Sequence, residues 1–286
     1  MKLLSLLRDG KSAIGVLADE ETVVDLSVAA PELPRGMCRF LAAGEEAMDA
    51  ARRALDSGGG RVPLADQTLL APVPKPRKFL AIGLNYADHA AESGQQTPKF
   101  PTVFNKQVTC VNGPGGAIHV PRASSAVDYE GEFAFVVGRR CRGVAAADAD
   151  SVIAGYTIVN DVSVRDWQLR SPTMTLGKGW DTHGPMGPYL VTADEVEHPN
   201  ALGIRTWVND ELRQDSNTRE LVFDCPKLVE TISTMCTLEP GDVVTTGTPA
   251  GVGGGFRPPK FLAPGDVVRI EIEGLGVLEN PVVAEP

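Results

Sequence analysis

The sequence predicts a mainly β fold of the α+β kind, with a small α+β unit ahead of a larger β-rich one. Three observations carry this. The chain holds 30 Gly and 22 Pro against only 6% aromatic residues, a composition that favours turns and short strands over a helix bundle. Runs of β-branched and apolar residues recur between Asp-Gly and Pro-Gly-Asp turns. Segments with a helical period are few and short by comparison.

Residues 1 to about 30 read as a β-meander, with an Asp9-Gly10 turn between two apolar runs as a hairpin signal. Residues 37–56 carry helix formers with a loose 3.6 period and stop at Ser57-Gly58-Gly59-Gly60. Residues 72–77 form a stiff proline-rich connector, and the boundary is drawn there. The N-terminal domain, 1–71, has no histidine and no dense acidic cluster, so packing or dimer contact is its expected role. The larger domain spans 78–286.

Residues 78–86 predict a strand that leads into an alanine-rich helical turn stopped by Gly94. At spacing i, i+3, His89 and Glu92 share a helix face. They form either an inert surface pair or an imidazole prepared as general base by its carboxylate. Residues 93–101, polar and bounded by prolines, suit a mobile flap. Short strands follow over 102–120, around Gly113-Pro114-Gly115-Gly116.

Asp128-Tyr129-Glu130-Gly131-Glu132 then runs into the apolar stretch 133–137. Residues two apart on a strand point to one face, so Glu130 and Glu132 stand side by side. Their repulsion is met by solvent at a strand edge, or by a cation between them. A second strand, 154–161, ends in Asn160-Asp161. Residues 178–188 are too rich in Gly and Pro for regular structure and are expected as a shaped loop. His119, His183 and His198 are read as structural. From 190 onward the pattern is nearly all β. One helix interrupts at 225–232, with Asp224 as N-cap and Pro226 near its start. The glycine-rich stretch 245–253 lacks the phosphate-loop pattern.

Composition excludes several classes. A net charge of -10 without a basic cluster argues against nucleic-acid binding. No apolar run reaches transmembrane length, so no membrane partner is expected. Five scattered cysteines without CxxC spacing suit reduced thiols and a cytoplasmic setting.

Taken in order, Gly83-Leu84-Asn85-Tyr86-x-x-His89-Ala90-x-Glu92, Asp128-Tyr129-Glu130-x-Glu132 and Asn160-Asp161-Val162-Ser163-x-Arg165-Asp166-x-Gln168 resemble the fumarylacetoacetate hydrolase family. Lys178-Gly179-x-Asp181 and Thr246-Gly247-Thr248-Pro249-x-Gly251-Val252-Gly253 complete the set, over roughly residues 78–275. The first 70 residues resemble the small variable domain of bacterial members.

The resemblance implies a catalytic domain of rolled, mixed β-sheet, a homodimer, and a divalent metal at Glu130, Glu132 and Asp161. Three carboxylates make a hard, all-oxygen site that suits Mg²⁺ or Mn²⁺, with Ca²⁺ as a further candidate. It further implies His89, Glu92 and Lys178 as catalytic residues. Asn85, Tyr86, Arg165, Gln168 and Thr248 are the implied contacts to a small 2-oxo acid substrate.

The activity expected first is metal-dependent hydrolysis of a C–C bond in a 2,4-dioxo acid, an acylpyruvate or a diketo-deoxy sugar acid. An oxaloacetate-type decarboxylase and a 2-hydroxydienoate isomerase or tautomerase are the alternatives on the same site. A non-catalytic small-acid binder with a structural cation is the alternative of another class.

Overall fold

A computed structural model describes residues 1–286. Its frame is a twelve-stranded mixed sheet. The main path runs Arg61–Pro63, Thr22–Asp25, Lys11–Leu17, Lys2–Arg8, Gly184–Thr192, Ile153–Asn160, Gly131–Val137, Val243–Thr245, Phe79–Gly83 and Thr102–Asn105. A five-stranded sheet, Glu211–Asn217, Gly203–Val208, Val267–Ile272, Gly276–Ala284 and Ile118–Val120, packs beside it.

The strand Gly131–Val137 explains the order. Every one of its residues is buried, so its unbroken apolar run fits a central strand covered on both faces. Phe133, Phe135 and Val137 enter one core, whereas Ala134 and Val136 enter the other. The strand pairs antiparallel with Ile153–Asn160, Gly131 facing Asn160, and on its other side with Val243–Thr245. That register brings the two glutamates to the end where Asp161 leaves the neighbouring strand.

The N-terminal strands extend this sheet. Lys2–Arg8 pairs with Gly184–Thr192, and Phe40, Leu41 and Ala51 share a core with Val136, Val159 and Leu190. The connector at 72–77 therefore joins two parts of one sheet. The helical stretch 37–56 divides into Met37–Ala42 and Glu45–Ser57, because Gly44 sits between them at φ +68°. The hairpin turns fall where the sequence puts them, with Asp9 at φ +50° and Asn209 at φ +54°. The helix Cys225–Met235 begins at Asp224, whose carboxylate accepts from the Lys227 amide at 2.9 Å.

One expectation needs correction. The stretch 178–188 is not all loop, since a strand starts at Gly184 and passes through Pro185 and Pro188. Pairing with Ile153–Asn160 on one side and Val111–Asn112 on the other overrides the local composition. No helix is long and apolar enough to cross a membrane.

Candidate active site

The strand register gathers three carboxylates. One oxygen each from Glu130, Glu132 and Asp161 lie within 4.8 Å of one another, and the residues are 5%, 1% and 0% exposed. Backbone bonds fix them: the Asp161 amide donates to the Glu130 carbonyl at 2.9 Å, and the Glu130 amide donates to the Asn160 side chain at 3.1 Å.

Three buried or half-buried cations serve two of these acids. Lys178 Nζ donates to Glu130 at 2.5 Å and to Asp161 at 2.8 Å. Arg165 Nη1 meets the other Glu130 oxygen at 2.6 Å. Lys106 Nζ donates to Asp161 at 2.5 Å and to the Lys178 carbonyl at 2.6 Å. Glu132 forms no ion pair; its carboxylate accepts only from the Gly247 amide, at 2.9 Å.

The charge states follow this pairing. Burial opposes ionisation of Glu130, yet Lys178 and Arg165 outweigh it and hold that carboxyl well below its ordinary range. Burial, then the charges of Asp161 and Glu130, push Glu132 well above its ordinary range. Burial likewise works against the charge of Lys178, but Asp161 and Glu130 keep it protonated. A fully buried, unpaired carboxylate among hard oxygen donors, with no Cys or His in the cluster, fits a divalent cation of the Mg²⁺ or Mn²⁺ kind.

Beside the triad, the short helix Ala87–Glu92 presents His89. Its Nδ1 lies 3.1 Å from Glu92 Oε2, and Glu92 Oε1 accepts from the Gly251 amide at 2.9 Å. A carboxylate can only accept here, so in the neutral imidazole Nδ1 carries the proton and Nε2 the lone pair. Gly251 is required at this point of the loop. Its φ is +98°, and a Cβ there would stand 2.0 Å from the Arg213 carbonyl.

A cavity of about 140 Å³ joins these groups, lined by His89, Glu130, Glu132, Arg165, Gln168, Lys178 and Thr248 among others. Arg165 is held by Asp128 at 2.7 Å and donates to Gln168 at 3.0 Å. Its Nη2 is buried with no partner, a donor held ready for a ligand oxygen. A larger cavity of about 660 Å³ lies between Met48, Arg52 and Arg139, remote from the triad. The smaller one is the candidate site, because the perturbed carboxylates are there.

Not every expected contact reaches the cavity. Asn85 is fully buried behind it, its amide nitrogen donating to the Phe223 and Thr246 carbonyls and its oxygen accepting from the Phe223 amide. Tyr86 is also fully buried and does not line it. Both residues brace the turn that precedes His89. The Thr248 hydroxyl lines the cavity but already donates to the Gly131 carbonyl at 3.0 Å and accepts from Gln214 at 2.9 Å.

Sequence reasoning missed Lys106, Asp128 and Gln214 as builders of the site. Asp128 accepts from the Gly253 and Gly254 amides as well as from Arg165, tying the glycine loop to that guanidinium. Gln214 links the Gly131 amide to Thr248 and Pro249 from the second sheet. Asp128 heads the acidic motif and was there to be weighed, and Lys106 is a lone lysine ending an apolar strand. Gln214 carries no signal at all in its neighbourhood.

Residues 78–283 match the family model described as fumarylacetoacetate (FAA) hydrolase, C-terminal. A mitochondrial oxaloacetate tautomerase of Xenopus laevis is 45% identical over 269 residues, 93% of this chain and 84% of that protein. The maleylpyruvate hydrolase of Sphingobium sp. SYK-6, solved with manganese(II) and pyruvate, superposes with a TM-score of 0.84 at 34% identity, covering 100% of both chains. A 2-hydroxyhepta-2,4-diene-1,7-dioate isomerase of Mycobacterium marinum gives 0.79 at 36% identity, covering 100% of this chain and 99% of that one.

Proposed function

This chain belongs to the fumarylacetoacetate hydrolase family, and from that premise we propose that it moves a proton at the carbon beside the keto group of a short 2-oxo acid. Oxaloacetate keto–enol tautomerisation is the leading activity. The observation that carries the reading is the junction of His89, its Nε2 set by Glu92, with Glu130 and Glu132 of the carboxylate triad in one cavity of about 140 Å³. The names of the relatives at 43–45% identity support the same substrate.

Glu130, Glu132 and Asp161 would hold the divalent metal, which when bound supplies Lewis-acid stabilisation of an enolate. The remaining work falls to the chain. Arg165 Nη2 and the Gln168 amide orient substrate oxygens. His89 Nε2 takes the proton from the carbon next to the keto group and delivers it to the enolate oxygen, giving the enol; in the reverse direction it returns the proton to carbon. Lys178, kept cationic by its acidic neighbours, lowers the energy of negative charge developing on the substrate oxygen.

A second reading has its own support. The same His89–Glu92 pair can activate water, and the manganese–pyruvate neighbour is named a maleylpyruvate hydrolase. On that reading the substrate is a 2,4-dioxo acid and its C–C bond is hydrolysed.

One experiment divides them. Chelated and Mg²⁺- or Mn²⁺-restored protein is given enol-oxaloacetate and, separately, acetylpyruvate and fumarylpyruvate, in deuterated buffer with products followed by NMR. Accelerated ketonisation with deuterium entering C3 supports tautomerisation. Pyruvate plus a free acid from an acylpyruvate moves the protein to the hydrolases. Carbon dioxide from oxaloacetate would instead make it a decarboxylase.

A further inference from the structure

Five residues other than glycine hold a positive φ: Asp9, Leu84, Met174, Thr182 and Asn209. Asp9 and Asn209 occupy hairpin turns, where Asp and Asn adopt this backbone readily. Leu84 at +52° and Met174 at +60° have no such excuse, since bulky side chains disfavour the left-handed region. Strain of this kind persists where surrounding structure enforces it, often at ligand clamps. Both residues line the cavity of the triad.

Their positions follow from the turns they make. Leu84 ends the strand Phe79–Gly83 and lets Asn85 turn inward while Leu84 faces the cavity. Met174 precedes the helix Thr175–Lys178, so the turn that delivers Lys178 to the triad also delivers Met174 to the cavity. The Met174 Cε and Sδ lie 3.5 and 3.7 Å from where a Cβ on Gly83 would stand, which lays the thioether across the Gly83 backbone. With Ile82 and Phe104 these two residues form the apolar side of the cavity. Glu130, Glu132, Arg165, Gln168 and Thr248 form the polar side.

We propose that Leu84 and Met174 are specificity-determining residues, forming the wall that limits a 2-oxo acid to a short group beyond its keto carbon. The proposal rests on the 2-oxo acid reading above. An acid held by its carboxylate and keto oxygens on the polar side must point its far end at this wall. The wall is graded rather than rigid, because one half is an unbranched thioether on a surface segment. Its neighbour Leu169 is 88% exposed and does not line the cavity.

The test is a binding ladder on the full chain loaded with Mg²⁺, using calorimetry with pyruvate, 2-oxobutanoate, 2-oxohexanoate and 2-oxooctanoate. Wild type is expected to favour the short acids. Met174→Ala and Leu84→Ala should each shift the ratio of long-acid to pyruvate affinity by about tenfold or more, as expected when one or more methylene groups gain room in an apolar pocket. Met174→Leu, which keeps the bulk, should restore the wild-type ratio, and Leu169→Ala should leave it unchanged. The proposal is overturned if both alanine variants bind pyruvate with an unaltered ladder. A wild-type protein that binds none of the four acids would instead overturn the 2-oxo acid reading itself. Because the ladder measures binding, an error in the assigned reaction leaves it readable.

Discussion

Glu92 holds His89 with one carboxylate oxygen and the glycine loop with the other: Nδ1 of His89 lies 3.1 Å from Oε2, and the Gly251 amide 2.9 Å from Oε1. A single side chain thus fixes both the tautomer of the His89 imidazole and its distance from the loop bearing Thr248. His89→Ala should lower kcat by roughly 10²–10⁴-fold, the usual contribution of a positioned acid–base group. Metal affinity by calorimetry should stay near the wild-type value. Glu92→Gln should lower kcat less, because Gln can still accept from one of the two donors. Unchanged turnover in His89→Ala would take the proton-transfer role away from this residue.

Glu132 differs from its two partners in having no cation, and burial with two neighbouring negative charges favours its protonated form. A divalent metal reverses that preference, so binding should expel a proton. Calorimetric titration of Mg²⁺ or Mn²⁺ in two buffers of different ionisation enthalpy should give different apparent heats. Apparent affinity should rise with pH until Glu132 is ionised in the free protein. Glu132→Gln should remove both the proton release and most of the affinity. Identical heats in the two buffers would show that Glu132 is already ionised without metal.

Lys106 is 3% exposed and joins Asp161 to the carbonyl of Lys178, so it aligns a triad acid with the backbone that carries the triad's own cation. Lys106→Met keeps the stem and removes the charge, leaving one oxygen of a buried carboxylate without its partner. Breaking a buried pair in this way costs about 3–5 kcal/mol. The expected result is a clear fall in Tm, with part of the loss recovered by saturating Mg²⁺. A Tm within a degree or two of wild type would mean that Asp161 is satisfied by Lys178 alone.

These positions differ in how legible they were. Glu130, Glu132 and Asp161 were readable because strand periodicity and strand ends place residues by simple rules, and the register between Gly131 and Asn160 obeys them. The His89–Glu92 pair was readable for the same reason at helical spacing. Asn85 and Tyr86 lie buried outside the cavity lining, and motif membership alone does not say which way a side chain faces. The left-handed turn at Leu84 decides that, and nothing local announces it. Gln214 reaches the site from the second sheet across 83 residues of sequence, a tertiary event with no local signature. The strand through Pro185 and Pro188 was hidden by its composition and exists because neighbours pair with it on both sides.

His183, read from the sequence as structural, is 1% exposed and its Nε2 donates to the His119 carbonyl at 2.7 Å. Its Nδ1 has no partner, so protonation there would add an unsolvated charge. Burial lowers its pKa to about 4 from 6.5; Lys106 and the His119 imidazole add to this, while the His119 carbonyl and Asp161 oppose it without prevailing. The folded-state value lies below the unfolded one, so this residue's contribution is complete above pH 6.5. It is lost as pH falls from there through about 4, because the unfolded chain takes up the proton first. At pH 5 the loss amounts to about 2 kcal/mol, from 1.36 kcal/mol per pH unit over the interval. His183→Gln retains a donor for the His119 carbonyl and cannot titrate. Urea unfolding at pH 7.5 and pH 5 should therefore show a smaller acid-side loss of stability in the variant than in wild type, by about that amount. Equal losses in the two proteins would mean that His183 is reached by solvent and titrates near its ordinary value.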